Sequence, residues 1–103
     1  MNNTSKSAFI HILTSCLAGL LLAACAVPAP VQEMSNARQS LQAAKEVKAE
    51  LLAPGRYARA RQLLDDAAKN LENGDYHQAK GYALEAKIEA NQARQTAINM
   101  QKK

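Results

Sequence analysis

The chain has 103 residues, thirteen Lys and Arg against nine Asp and Glu, a formal net charge of +4, two cysteines and no tryptophan. That is room for one small domain, and the charge is too modest to argue for a nucleic-acid partner. Alanine is abundant after residue 36, which points to an all-α fold whose helices pack closely through small side chains.

The N-terminus comes first in the chain and in the argument. Met1 to Ser7 is polar with Lys6 its only formal charge, and Ala8 to Ala24 is mostly apolar. A charged start, a short apolar middle and small residues before a break make a secretory signal peptide. The run ends in Leu22-Ala23-Ala24-Cys25, which resembles the bacterial lipobox. Small residues let a peptidase approach an extended backbone, and the cysteine thiol accepts the lipid. The expectation is cleavage between Ala24 and Cys25, with residues 1–24 removed and Cys25 acylated. About two acyl chains make such an anchor stable. The competing reading is an uncleaved inner-membrane helix. It needs about 20 apolar residues, which Ala8 to Val27 barely supplies around His11, Thr14 and Ser15.

Processing leaves 79 residues, with one of the thirteen basic residues gone and a net charge of +3. Residues 25–30 form a lipidated tether, extended by Pro28 and Pro30. Position 26 is alanine rather than the aspartate that often retains lipoproteins at the inner membrane, so the resemblance implies the periplasmic side of the outer membrane.

Residues 31–103 make the alanine-rich helical domain. The first helix spans about 31–52, with Met34, Ala37, Leu41, Ala44, Val47 and Leu51 on one face. Pro54 interrupts it. A second helix covers about 55–72, with Tyr57, Ala60, Leu64, Ala67 and Leu71 on its face. Asn73-Gly74 ends it through a left-handed residue, and Asp75 with Gln78 forms a variant capping box. The third helix, about 76–100, carries Tyr76, Ala79, Ala83, Ala86, Ala90, Ala93, Ala97 and Met100 at alternating steps of three and four. A second apolar line, Leu84, Ile88 and Ile98, predicts that this helix touches two neighbours. It is expected to lie antiparallel to the second helix and against the first. The architecture is a small three-helix bundle, or a helical hairpin with an added N-terminal helix.

Ala53-Pro54, Tyr57-Ala58-x-Ala60-x-x-Leu63-Leu64-x-x-Ala67, Asn73-Gly74-Asp75-Tyr76-x-x-Ala79 and the alanine ladder together resemble the bacterial domain of unknown function 4398. Gly74-Asp75-Tyr76-x-x-Ala79 carries most of the likeness. That resemblance implies a short helical domain, often in lipoproteins, with no defined activity. The turn is also similar to the bend of a tetratricopeptide repeat, but the chain holds a single such helix pair, so no array is expected.

No enzymatic chemistry is legible, and no catalytic residue, cofactor or metal is expected. Cys16 leaves with the signal and Cys25 is acylated, so no thiol remains for a disulfide, a metal or catalysis. His77 is then the only histidine, expected to face solvent, and one histidine without cysteine holds no structural zinc. Asp65 and Asp66 diverge by about 100° on a helix; Asp65 instead has the spacing for surface ion pairs with Arg61 and Lys69.

Binding remains. Arg56, Arg59 and Arg61 crowd the start of the second helix, where the dipole favours anions. They project into water or meet an anion, such as a lipopolysaccharide phosphate or a peptidoglycan carboxylate. The alanine seam of Ala79, Ala83, Ala86, Ala90, Ala93 and Ala97, together with the turn before it, is expected to be an interaction surface for a helical partner or a second copy. Lys102-Lys103 raises a further possibility. A small outer-membrane lipoprotein with alanine heptads is joined to peptidoglycan through its terminal lysine, and this chain shares the lipobox, the heptads and a final lysine. It departs from that rod at Pro54-Gly55 and Asn73-Gly74. The reading is an envelope lipoprotein acting as a helical binding or scaffolding module, with a structural tether through Lys103 as the alternative.

Overall fold

The computed structural model describes residues 28–103 together with His11 and Thr14. The rest of residues 1–24, the Ala24–Cys25 cut and residues 25–27 of the tether lie outside the described residues. Within them the fold is all-α: α1 (Val31–Glu46), α2 (Ala49–Leu52), α3 (Pro54–Glu72) and α4 (Tyr76–Gln101).

The expected first helix is divided. Its face holds as far as Met34, Ala37, Leu41 and Ala44, all buried. Lys48 then adopts a left-handed conformation, φ 62, which costs a non-glycine residue about 1–2 kcal/mol. The reversal therefore begins six residues before Pro54. The extra bend also shifts the helical frame, so Ala49 and Ala53 turn into the core. Leu51, expected on the buried face, is instead 77% exposed. No glycine, proline or asparagine marks the break, because tertiary packing and not local propensity imposes it.

α3 begins at Pro54, one residue earlier than expected, since proline suits the first helical position, where its missing N–H has no partner to lose. The first helical bond runs from Tyr57 N–H to Ala53 C=O at 3.0 Å. At the other end Gly74 has φ +81. Asp75 N–H donates to Asn70 C=O at 2.8 Å and Gly74 N–H to Leu71 C=O at 3.1 Å, the paired bonds of a Schellman ending. The expected capping box does not form: Asp75 is the N-cap of α4 but its side chain makes no capping bond.

Three apolar layers stack along the bundle. Met34, Ala67 and Ala83 form the first, and Ala37, Leu63 and Ala86 the second. Leu41, Ala44, Tyr57, Ala60, Ala90, Ala93 and Ala97 fill the third, joined by Ala49 and Ala53. Numbers rise through the layers in α1 and α4 and fall in α3. Hence α1 and α4 run parallel, with α3 antiparallel to both. Leu63 is the buried leucine of α3, and Leu64 packs at the margin of all three layers. The long α4 is the shared wall, and its alanines permit axis separations toward the short end of 8–10 Å. The expected pair of neighbours is present, but one alanine face serves both. Leu84 and Ile88 of the second apolar line are 44% and 55% exposed, and only Ile98 is half-buried.

Candidate binding surfaces

The alanine seam is interior. Ala79, Ala83, Ala86, Ala90, Ala93 and Ala97 have no accessible surface, because α1 and α3 of the same chain cover them. The seam is therefore corrected from an interaction surface to the spine of the core. The small side chains that suggested a docking partner instead let one helix hold two others.

The three arginines do not converge. Arg56 Nη1 stands 3.2 Å from Glu89 Oε2, and Arg59 Nε stands 3.4 Å from Glu89 Oε1. Arg56 also donates to Gln92. The anion these two cations require is thus supplied by α4, and it offsets the unfavourable placement of positive charge at the start of α3. Arg61 lies on the other flank of the buried stripe, five residues from Arg56, and takes no part. The spacing suggested Arg61–Asp65 and Asp65–Lys69 pairs, but neither is among the ion pairs of the described residues. Those pairs are Arg56–Glu89, Arg59–Glu89 and Lys80–Glu33. Nearby, Asp66 accepts from Gln62 at 3.1 Å, and its carbonyl accepts from Asn70 at 2.8 Å.

The two ends of the bundle differ. At one end the tether residues Pro28 to Pro30 flank a hollow shared with Glu33, Tyr76, His77 and Lys80. The α3–α4 turn from Asn73 to Gln78 is exposed there, and His77 faces solvent as expected. At the other end Gln101 Nε2 donates to Val47 C=O at 2.6 Å, satisfying a carbonyl that the end of α1 leaves open. Leu51 and Met100 are exposed at this end, and Lys102 and Lys103 follow it, also exposed.

Between these ends lies a feature the sequence reading missed. α1 and α4 flank an open groove of about 450 Å³ lined by Asn36, Gln39, Ser40, Ala43, Lys87, Asn91 and Arg94. The signal was present as Lys80, Lys87 and Arg94, each seven residues apart. What the sequence could not supply was the neighbour, because only the parallel placement of α1 sets its amides opposite those cations. Among the described residues no group of three or more His, Cys, Asp or Glu side chains could hold a metal ion.

Fold and surfaces together define a small all-α bundle with an alanine core and polar flanks. Residues 32–103 match the family described as Domain of unknown function (DUF4398), and the chain belongs to that family. No curated protein and no solved structure matches it.

Proposed function

We propose that this chain is a lipid-anchored protein of the bacterial envelope whose helical domain binds or scaffolds other envelope components without catalysing a reaction. The observation that carries the reading is Leu22-Ala23-Ala24-Cys25 at the close of a signal-like apolar run. Among the described residues no helix is long and apolar enough to cross a membrane; in this reading the attachment is through acylated Cys25. Alanine at position 26 favours the outer membrane. From Cys25 to the start of α1 at Val31, an extended chain reaches at most about 20 Å. The end bearing the α3–α4 turn would then face the lipid. The partners in this reading are membrane lipid through Cys25 and a helical protein or a second copy of the chain, met through surfaces other than the alanine seam.

Intact mass of the protein extracted from membranes tests this. The expected species lacks residues 1–24 and carries acyl mass on Cys25, and Cys25→Ser abolishes both. A parent protein whose mass includes residues 1–24 overturns it and favours the uncleaved inner-membrane alternative.

A second reading, covalent attachment to peptidoglycan through Lys103, draws on one observation. Lys103 follows the far end of α4, a helix of 26 residues and so roughly 39 Å long. The anchor and the lysine would therefore sit at opposite ends of the bundle. Digestion of purified sacculi should release a peptide carrying muropeptide on Lys103, and its absence removes this reading.

A further inference from the structure

We infer that the α1–α4 groove is a binding site for an extended acidic glycan, one whose carboxylates recur on every second sugar. The inference rests on the reading of this domain as a binding module and assigns a ligand class to one of its faces.

The argument starts from charge. Lys87 and Arg94 line the groove, and neither belongs to an ion pair among the described residues. No Asp or Glu lines the groove. Residues 34–45 of α1 contain no Asp or Glu, and Glu33 is engaged by Lys80 at 3.7 Å. The only acid in α4 between residues 86 and 95 is Glu89, which is turned toward Arg56 and Arg59 on the opposite flank. Two cations outside any ion pair among the described residues, side by side on one open face, attract an anion.

The other wall narrows the chemistry. Asn36, Gln39 and Ser40 from α1, with Asn91 from α4, offer amide and hydroxyl groups that both donate and accept. Asn36 Oδ1 accepts from Gln32 Nε2 at 2.9 Å, so the donor side of the Asn36 amide is what this side chain can offer a ligand. Such a wall suits hydroxyl and acetamido groups. It does not suit an apolar helix, since Ala43 is the only aliphatic side chain lining the groove. Nucleobases fit no better, because no aromatic residue lines it to stack them.

Spacing gives the third argument. Lys87 and Arg94 lie seven residues apart on one helix, two turns and about 10 Å. An extended peptide strand repeats a face every second residue at about 7 Å and falls out of step. A β-1,4-linked glycan turns successive sugars to opposite edges, so like groups return every second sugar, a distance close to the two-turn step.

The test uses the full chain, purified from membranes in detergent, and titration calorimetry. The main probe is peptide-free glycan strands of alternating N-acetylglucosamine and N-acetylmuramic acid, with a lactyl carboxylate on every second sugar. Chitin oligosaccharides of equal length lack only that carboxylate, and poly-L-glutamate has carboxylates without sugar. The strands should bind, with affinity falling as salt rises. Lys87→Gln with Arg94→Gln should weaken them about tenfold or more, the loss of charge-assisted hydrogen bonds. Arg38→Gln with Lys45→Gln, the same charge removed from the far side of α1, should leave binding unchanged. Matching far-UV circular dichroism confirms that each variant is folded. Chitin or poly-L-glutamate binding as tightly as the strands overturns the proposal, as does equal weakening by both double variants or no binding at all. In that last case, partners co-purifying with the lipidated chain still support the binding-module reading. Polygalacturonate carries a carboxylate on every sugar, so its binding as tightly as the strands overturns the every-second-sugar assignment.

Discussion

Replacing Ala86 with leucine separates a closed alanine spine from an open one. Ala86 has no accessible surface and packs in one layer with Ala37 and Leu63, beside Leu64 and Tyr82. Leucine adds three carbons at a point where α1 and α3 both press against α4, so both helices must shift to admit it. Overpacking a core costs about 1–3 kcal/mol, and the double contact places this variant toward the upper end. A small domain of this size has a stability of roughly 4–11 kcal/mol, and each kcal/mol moves its melting temperature by about 4–8 °C. Thermal and urea unfolding of residues 28–103, followed by circular dichroism, should therefore show a fall in Tm on the order of 10–20 °C. Gln95→Leu, on the exposed face of the same helix, should stay within about 0.5 kcal/mol of the parent. An Ala86→Leu chain that melts with the parent would mean that the spine is open to solvent, and the layer assignment would fall.

Two further outcomes follow from single contacts and torsions. A Cβ added at Gly81 or at Gly74 meets nothing within 4 Å, but only Gly74 has positive φ, at +81. Gly81→Ala should therefore stabilise the chain by about 0.5–1 kcal/mol, and Gly74→Ala should destabilise it by about 1–2 kcal/mol, both read from urea midpoints. Glu89→Gln removes the charge that Arg56 and Arg59 share. Because both arginines are more than half exposed, the loss should be about 0.5–1 kcal/mol at low salt. It should shrink near 1 M salt, where the screening length is about 3 Å. A loss that does not change with salt would assign Glu89 a packing role instead.

Periodicity made much of this bundle readable. The steps of three and four along Ala79 to Ala97 identify the buried face of α4, and Asn73-Gly74 marks its turn, because both are local properties of one helix or one torsion. The break at Lys48 left no such mark. It exists because α1 must reverse early enough to bring Ala49 and Ala53 inward, a demand set by helices elsewhere in the chain. The destination of the alanine face was hidden for a related reason. A strip of small residues looks the same whether its cover is a stranger or the chain's own α1 and α3. Arg56 and Arg59 read as a site for an outside anion because Glu89, 33 residues beyond Arg56, becomes adjacent only after folding. The groove went unseen because its cations and amides lie on different helices.

The parallel course of α1 and α4 has a mechanical consequence. The polypeptide enters beside Pro28 and leaves beyond Gln101, at opposite poles of the molecule. Tension between those poles drags the two rods past each other lengthwise, so every layer between them must yield at once and none can be peeled off singly. A fastening at each pole would load this small body in shear, the direction in which it is hardest to pull apart.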